Sequence, residues 1–150
     1  MIAFAHLFDL HVDLCDILDF GSGPAGHLRI VRITGGNFEG RRVSGDVLEG
    51  GGDWQTLRDD GVAELDVRCL LRAKSGALVH LYGTGMRHGP ADVMARLGRG
   101  DEVPAEAYYF REFVRFTTSA PELQWLNKML AVATASRQRN SAHLEVFEIL

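Results

Sequence analysis

Hydrophobic and polar residues alternate along much of the chain, in segments separated by glycine-rich stretches. From Ile2 to Leu14 every second position is apolar except for one histidine, and residues 62–72 and 103–118 show the same period of two. This period is typical of a β-strand with one buried face. The pattern therefore predicts a chain built mainly from strands.

The clearest local prediction concerns residues 50–68. Three consecutive glycines, 50–52, favour a bend or bulge in the strand that follows them. The dipeptide Asp60-Gly61 is a turn that joins antiparallel strands. We therefore expect residues 54–57 to pair across this turn with the strand at 62–72.

Two segments have helical spacing instead. Pro90 precedes ADVMARL, and Ser119 precedes PELQWLNKM as an expected N-cap. With roughly nine strands, short turns and no alternation of strands with helices, the sequence predicts a closed barrel or a sandwich. Our fold prediction is an all-β antiparallel barrel of 8–10 strands with two short helices. We expect Trp54 and Trp125 to be substantially buried in it.

Composition narrows the class of protein. The chain has 150 residues and 46% hydrophobic content, which suits a single domain over residues 1–150. Its net charge of -4 is mild and the charges are interspersed, which argues against nucleic acid or an anionic membrane as partner. Cys15 and Cys69 lack CxxC spacing, which favours neither zinc nor a disulfide and fits the cytoplasm. The N-terminus resembles neither a signal peptide nor a membrane span.

Common chemical motifs are missing from the sequence. The six histidines show no HxH, HExxH or HxxxH spacing, so we expect no metal. The glycine-rich residues 35–45 precede no helix and contain neither GK[ST] nor GxGxxG, so they more simply mark barrel corners, and no cofactor is expected. The sequence contains no GxSxG motif, which is the turn that carries a nucleophilic serine in α/β-hydrolases.

The alternation of side chains between the two faces of a strand, which we call parity, identifies a candidate site. In 62–72 the acidic and basic side chains share one face of the strand and the apolar ones share the other. We expect Asp66, Arg68 and Arg111 on the concave side of the barrel, where each arginine would pair with a carboxylate, the candidates being Asp66 and either Asp53 or Glu39. The alternative is that this face is solvated. The residues expected to contact a ligand are Asp53, Trp54, Gln55, Asp66, Arg68, His80, Tyr82, Tyr109 and Arg111.

Several segments also resemble the landmarks of one uncharacterised family of small bacterial and fungal proteins. These segments are GGNFEG, GGGDWQTLRDDGVAELDVR, GTGMRHGP, AYYFRE and WLN. From about residue 30 onward the chain resembles domain of unknown function 3237, also called uncharacterised protein family 0311. The resemblance implies a small calycin-like barrel, a fold that commonly holds an apolar ligand, and implies no established activity. The chain departs from the family pattern at EFVRF, where a threonine and a proline are usual, and at AVATAS.

Three functions remain open at this point. The first is a cytoplasmic barrel that binds a small, partly apolar organic metabolite in its lumen. The second is a cofactor-free lyase, isomerase or cyclase that uses luminal acid and base residues on a hydrophobic metabolite, and the third is a structural subunit with a filled core. A cavity, and a luminal carboxylate with a raised pKa beside it, would distinguish them.

We also expect a homo-oligomer, most simply a twofold dimer. Apolar parity at both ends of the chain suggests exposed edge strands that a partner would cover. The residues concerned are Ile2, Phe4, Phe8, Leu144, Val146 and Leu150.

Overall fold

Eight antiparallel strands close into one barrel. The computed structural model describes residues 1–150, and each strand is hydrogen-bonded to the next in sequence, with the last pairing back to the first. The all-β antiparallel barrel is therefore confirmed. The strands are β1 (Phe4–Gly23), β2 (Gly26–Glu39), β3 (Ser44–Leu57), β4 (Ala63–Ala73), β5 (Leu78–His88), β6 (Tyr109–Thr117), β7 (Ala131–Arg137) and β8 (Ser141–Ile149).

Short helices connect some of these strands. Helix α1 (Ala91–Gly98) follows β5, and a 3₁₀ segment (Pro121–Lys128) follows β6. Both predicted helices are thus present, although the second is 3₁₀ rather than α-helical, and a further 3₁₀ turn occupies Ala105–Ala107. None of these helices has the length and apolar character needed to cross a membrane.

The predicted hairpin between β3 and β4 is confirmed. Leu57 pairs with Ala63, and Gly61 in the turn has a φ of 90°, which a residue with a side chain rarely adopts. The pairing register shifts between Leu48 and Gly52, so the triple glycine does form an irregularity in the strand. Beyond it, Asp53 and Gln55 lie on one side of β3 and Trp54 on the other.

The apolar face of each strand points into the barrel. On β4 the inward side chains Leu65, Cys69 and Leu71 are almost fully buried, whereas Asp66 and Arg68 point outward. An eight-stranded barrel has an interior just wide enough for side chains, and apolar side chains gain most from filling it.

The expected luminal position of several charged or polar residues is therefore wrong. The barrel carries them on its outer surface, because their strands place apolar neighbours of opposite parity inside. These residues are Asp66, Arg68, His80, Tyr82 and Arg111.

Of the two tryptophans, only Trp54 departs from the expected burial. Trp54 is 37% exposed because it faces outward between two inward polar residues, so its predicted burial is wrong. Trp125 is partly buried in the 3₁₀ segment, and the Arg42 guanidinium stacks on its ring at 3.6 Å.

The 3₁₀ segment closes one end of the barrel. Its Leu123 and Leu126 are buried in the core. The expected cap at Ser119 is absent. Instead, the backbone N–H of Ala120 donates to the Thr118 hydroxyl, and the Asn127 side chain accepts from the Thr118 N–H at 2.8 Å and donates to its carbonyl at 2.9 Å.

The termini do not form exposed edges. β1 and β8 pair with each other along nine positions, and Phe8, Leu144 and Val146 face the interior. A closed barrel has no edge strands. The reason given above for a dimer is therefore wrong, and the oligomeric state itself stays a prediction.

Candidate functional site

Polar side chains occupy the inner wall of the barrel at the end next to α1. Asp53 and Gln55 come from β3, Arg87 from β5 and Glu112 from β6, all at positions that alternate with outward-facing residues. Gln55 is only 1% exposed, Arg87 6% and Glu112 4%. Such burial of charged groups is uncommon in a protein core and marks this cluster for functional analysis.

A short chain of hydrogen bonds orders part of the cluster. Arg29 Nη2 donates to Gln55 Oε1 at 2.9 Å, and Gln55 Nε2 donates to Asp53 Oδ2 at 2.8 Å. The amide of Gln55 therefore connects a cation to a carboxylate. Because both ends of the amide are used, the orientation of the Gln55 side chain is fixed.

Other polar atoms of the cluster have no hydrogen-bonding partner in the protein. They are the buried atoms Arg29 Nε, Asp53 Oδ1, Arg87 Nε and Glu112 Oε2. An unsatisfied buried polar atom costs about 1–3 kcal/mol, so folded proteins keep few of them without a reason. Their concentration at one end of the barrel indicates a site for a polar ligand group or bound water.

Burial shifts the pKa values of these groups. Burial, with a contribution from the nearby Asp53 carboxylate, raises the pKa of Glu112 to about 8. Burial also raises the pKa of Asp53, against the opposing effect of the hydrogen bond from Gln55. The pKa of Arg87 is lowered to about 10 by burial. At neutral pH the cluster therefore contains a protonated Glu112 and a guanidinium that remains charged.

Glycine provides room for the Glu112 side chain. Gly85 lies directly opposite Glu112 on β5. A Cβ at Gly85 would lie 2.1 Å from the Arg111 carbonyl oxygen and 2.7 Å from Glu112 Cγ. No side chain fits at this position without moving the two strands apart.

Two cavities meet at the cluster. The first, inside the barrel, has a volume of only about 40 Å³, enough for about one water molecule. The second, which we call the mouth pocket, has about 450 Å³ and opens at the α1 end. Arg87 and Arg137 line both cavities. A ligand larger than a water molecule does not fit the inner cavity. It would occupy the mouth pocket and contact the polar cluster through these two arginines.

The mouth pocket is strongly cationic. Five arginines line it and Asp16 is its single carboxylate, although the whole chain has a net charge of -4. The arginines are Arg29, Arg87, Arg99, Arg137 and Arg139. The mouth pocket is therefore positively charged although the chain as a whole is negatively charged. This positive charge favours an anionic ligand group.

The predicted ligand-contacting residues fall into three groups. Asp53 and Gln55 belong to the inner cluster. A second group lines a larger concavity on the outer surface, of about 960 Å³, which we call the outer groove and which Glu112 of the cluster also borders. The predicted residues in this group are Trp54, Asp66, Tyr109 and Arg111. Arg68, His80 and Tyr82 line none of these three cavities.

Ion pairing on the outer surface follows the expectation only in part. Arg68 lies 3.7 Å from Asp66, as expected for its carboxylate partner, but the pair faces solvent. Arg111 was expected to meet a carboxylate and instead donates from Nη1 to the Phe110 carbonyl at 2.9 Å. Whether any of these residues contacts a ligand stays a prediction.

Four residues of the site were not predicted. They are Arg29, Arg87, Glu112 and Arg137. The available signal was a charged residue on the apolar parity of a strand. Glu112, for instance, alternates in phase with Phe110, Val114 and Phe116, and it lies in EFVRF, where the chain departs from the family pattern.

Comparisons with known proteins extend the description. The family model "Protein of unknown function (DUF3237)" matches residues 2–149. A conserved protein of unknown function from Rhodopseudomonas palustris has a solved structure with a TM-score of 0.96 at 31% identity, covering 100% of this chain and 99% of that one. A β-barrel-like protein from Acinetobacter baumannii matches with a TM-score of 0.87 at 36% identity, covering 100% and 97%.

A more distant structure shares only the fold. It is described as an enzyme from Penicillium herquei, with a TM-score of 0.73 at 20% identity, and the match covers 99% of this chain and 95% of that one. The family match and the closer relatives span nearly the whole chain. The protein therefore belongs to the DUF3237 family of proteins of unknown function.

Proposed function

We propose that the mouth pocket binds a small organic anion with an apolar body. The pocket volume of about 450 Å³ lies in the range of small-molecule sites. Its arginines suit a carboxylate or phenolate, because a guanidinium can donate two parallel hydrogen bonds to such a group. Leu57, Met94 and Leu97 add apolar surface to the same pocket for the body of the ligand.

The observation that carries this proposal is the environment of Arg87. Its guanidinium is buried, its Nε has no acceptor, and no carboxylate of the protein forms an ion pair with it. Asp53 favours the charged form of Arg87 without forming an ion pair, and the Phe110 ring lies 5.4 Å from the guanidinium carbon, so the Nε donor itself is what has no partner. A buried donor without an acceptor is costly, and an anionic ligand would supply the acceptor. The ligand would bind at the mouth rather than deep in the lumen, because the interior cavity is too small.

Thermal denaturation with a panel of small carboxylates tests this function. A ligand at a hundred times its dissociation constant stabilises the folded state by about 2.7 kcal/mol. We expect aromatic carboxylates such as 1-naphthoate to raise the melting temperature, and the matched neutral alcohol to have no effect. The Arg87→Met variant should lose this response.

Arg68→Met is the matched control, since Arg68 is exposed and lies outside the mouth pocket. It should respond to naphthoate like the native protein. An equal response from all three proteins would contradict binding at the mouth.

Acid–base catalysis is a second candidate, and the pair of buried carboxyl groups favours it. Glu112, with a pKa of about 8, would be the proton donor at neutral pH, and Asp53 would be the acceptor. Neither group lines the mouth pocket, so the pair would exchange protons with the bound anion through a water molecule in the inner cavity, as a cofactor-free lyase, isomerase or cyclase could. The distant structure from Penicillium herquei is described as an enzyme, so the fold can support catalysis, although the likeness shows only the fold.

The two candidates differ in what Glu112→Gln does. If the protein only binds, the variant keeps affinity for the anion. If it catalyses proton transfer, the variant binds the substrate but turns it over much more slowly, by about a hundredfold or more. A rate that is unchanged in the variant would exclude Glu112 as the acid.

We also propose a cytoplasmic location. Cys15 and Cys69 are both free thiols, a state that a reducing compartment maintains. Fractionation of cells that produce the full-length protein would test it, and recovery in a secreted or periplasmic fraction would contradict it.

A further inference from the structure

The outer groove carries an unusual amount of exposed apolar surface. Five of the thirteen exposed large hydrophobic residues line it, and the most exposed of them, Phe113, is 70% accessible. The five are Phe4, Trp54, Met86, Tyr109 and Phe113. Contiguous apolar surface of this kind marks an interaction site on a folded protein.

Two charged residues in the groove are poorly paired or unpaired within their own chain: Asp66 has only a long ion pair with Arg68, and Arg111 has none. Asp66 Oδ1 is buried without a hydrogen-bonding partner, and the nearest cation, Arg68 Nε, is 3.7 Å away. Arg111 has no carboxylate partner at all and donates to the backbone of its own strand. The Arg111 guanidinium and the accessible part of the Asp66 side chain, which is 44% exposed, are therefore available to a charge of opposite sign from outside the chain.

The strand register places the acidic and basic groups on opposite sides of β5. Met86 on β5 pairs with Glu64 on β4 and with Arg111 on β6. Asp66 is two residues beyond Glu64 on the same face of β4 and pairs with Thr84 on β5. The acidic residues on β4 therefore lie on one side of β5, and the basic Arg111 on β6 lies on the other side, at the same level along the strands.

We propose that the outer groove is the interface of a twofold homodimer whose axis runs parallel to β5. A half-turn about this axis places β4 of one copy over β6 of its partner. Asp66 and Glu64 of one copy then meet the partner's Arg111, and the same contact occurs a second time by symmetry. A surface that is complementary to itself in this way is what a twofold interface requires.

The chain exposes more surface than is usual for a monomer of its mass, and the excess is large enough for such an interface. The chain exposes 8579 Å². A monomeric protein of this mass exposes about 7,600 Å². The excess is comparable with the roughly 800 Å² that each partner buries in an interface of standard size.

Sedimentation of the native chain and two charge-reversal variants tests the dimer. The native protein should sediment as a dimer at micromolar concentration. Asp66→Arg and Arg111→Asp should each be folded by circular dichroism and monomeric, with dissociation constants raised about tenfold or more. An equimolar mixture of the two variants should sediment as a dimer again, because each contact in the mixed pair has opposite charges.

Arg115→Asp is the control. Arg115 lies on β6 and points outward like Arg111, but it does not line the groove, so this variant should remain a dimer. A native protein that sediments as a monomer overturns the proposal. So does a dimeric Arg111→Asp variant, or a mixture of the two variants that stays monomeric.

Discussion

Glu112→Gln should make stability less dependent on pH. The pKa of this carboxyl group is about 8 in the folded protein, against an ordinary value of 4.5. Below pH 4.5 the group is protonated in both folded and unfolded chains and has no effect on stability. Between 4.5 and 8 the unfolded chain ionises while the folded chain keeps its proton, so rising pH favours unfolding, and the effect is complete above pH 8.

The size of the effect follows from the same pKa shift. Each pKa unit corresponds to 1.36 kcal/mol, so the shift from 4.5 to about 8 amounts to about 4–5 kcal/mol in total. Most of this, about 3–4 kcal/mol, is lost between pH 5 and pH 8. Since glutamine cannot ionise, the variant avoids this loss, and its free energy of unfolding should exceed that of the native protein increasingly as pH rises.

Urea denaturation at several pH values, followed by tryptophan fluorescence, measures this difference. Asp53 titrates in both proteins, so its contribution largely cancels in the comparison. Glu145→Gln removes an exposed carboxylate from β8 and serves as the control, whose stability should parallel that of the native protein. Parallel pH curves for native protein and Glu112→Gln would refute the assignment of a protonated buried Glu112.

Two further variants and one thiol-labelling reaction test other parts of the structure. Gly85→Ala should lower the free energy of unfolding by about 2–4 kcal/mol, because its Cβ would overlap the carbonyl of Arg111; a melting temperature equal to that of the native protein would contradict the close approach of β5 and β6. Asn127→Ala removes two hydrogen bonds to Thr118 and should cost about 1–3 kcal/mol, measured by urea denaturation. With a thiol reagent at pH 8, one equivalent should react in the folded protein and two after denaturation, since Cys69 is fully buried and its pKa is raised to about 12.

Much of the fold could be predicted because local rules determine it. The Asp-Gly turn predicts the hairpin that joins β3 and β4. The alternation in residues 62–72 predicts that Leu65, Cys69 and Leu71 share one face of the strand, and all three are buried. Each of these features depends on residues that are close in sequence.

The position of the site could not be predicted in the same way. Parity shows which residues share a face, but which face is inside depends on how tightly the closed barrel is filled. The sequence predicts a luminal polar pocket anchored by Asp66, Arg68 and Arg111, whereas the interior is packed with side chains and these three residues face outward. Arg87 and Glu112 are each the single charged residue on the inward parity of their strand. The mouth pocket draws on segments distant in sequence, from Cys15 to Asn140.

The most direct test of the central claim is a crystal structure of the protein grown with 4-bromobenzoate, in which anomalous scattering locates the bromine. We predict a bromine peak in the mouth pocket, with the carboxylate of the ligand within hydrogen-bonding distance of Arg87 or Arg137. A bromine peak only in the outer groove, or none in the mouth pocket at a saturating concentration of the ligand, would contradict the proposed anion site.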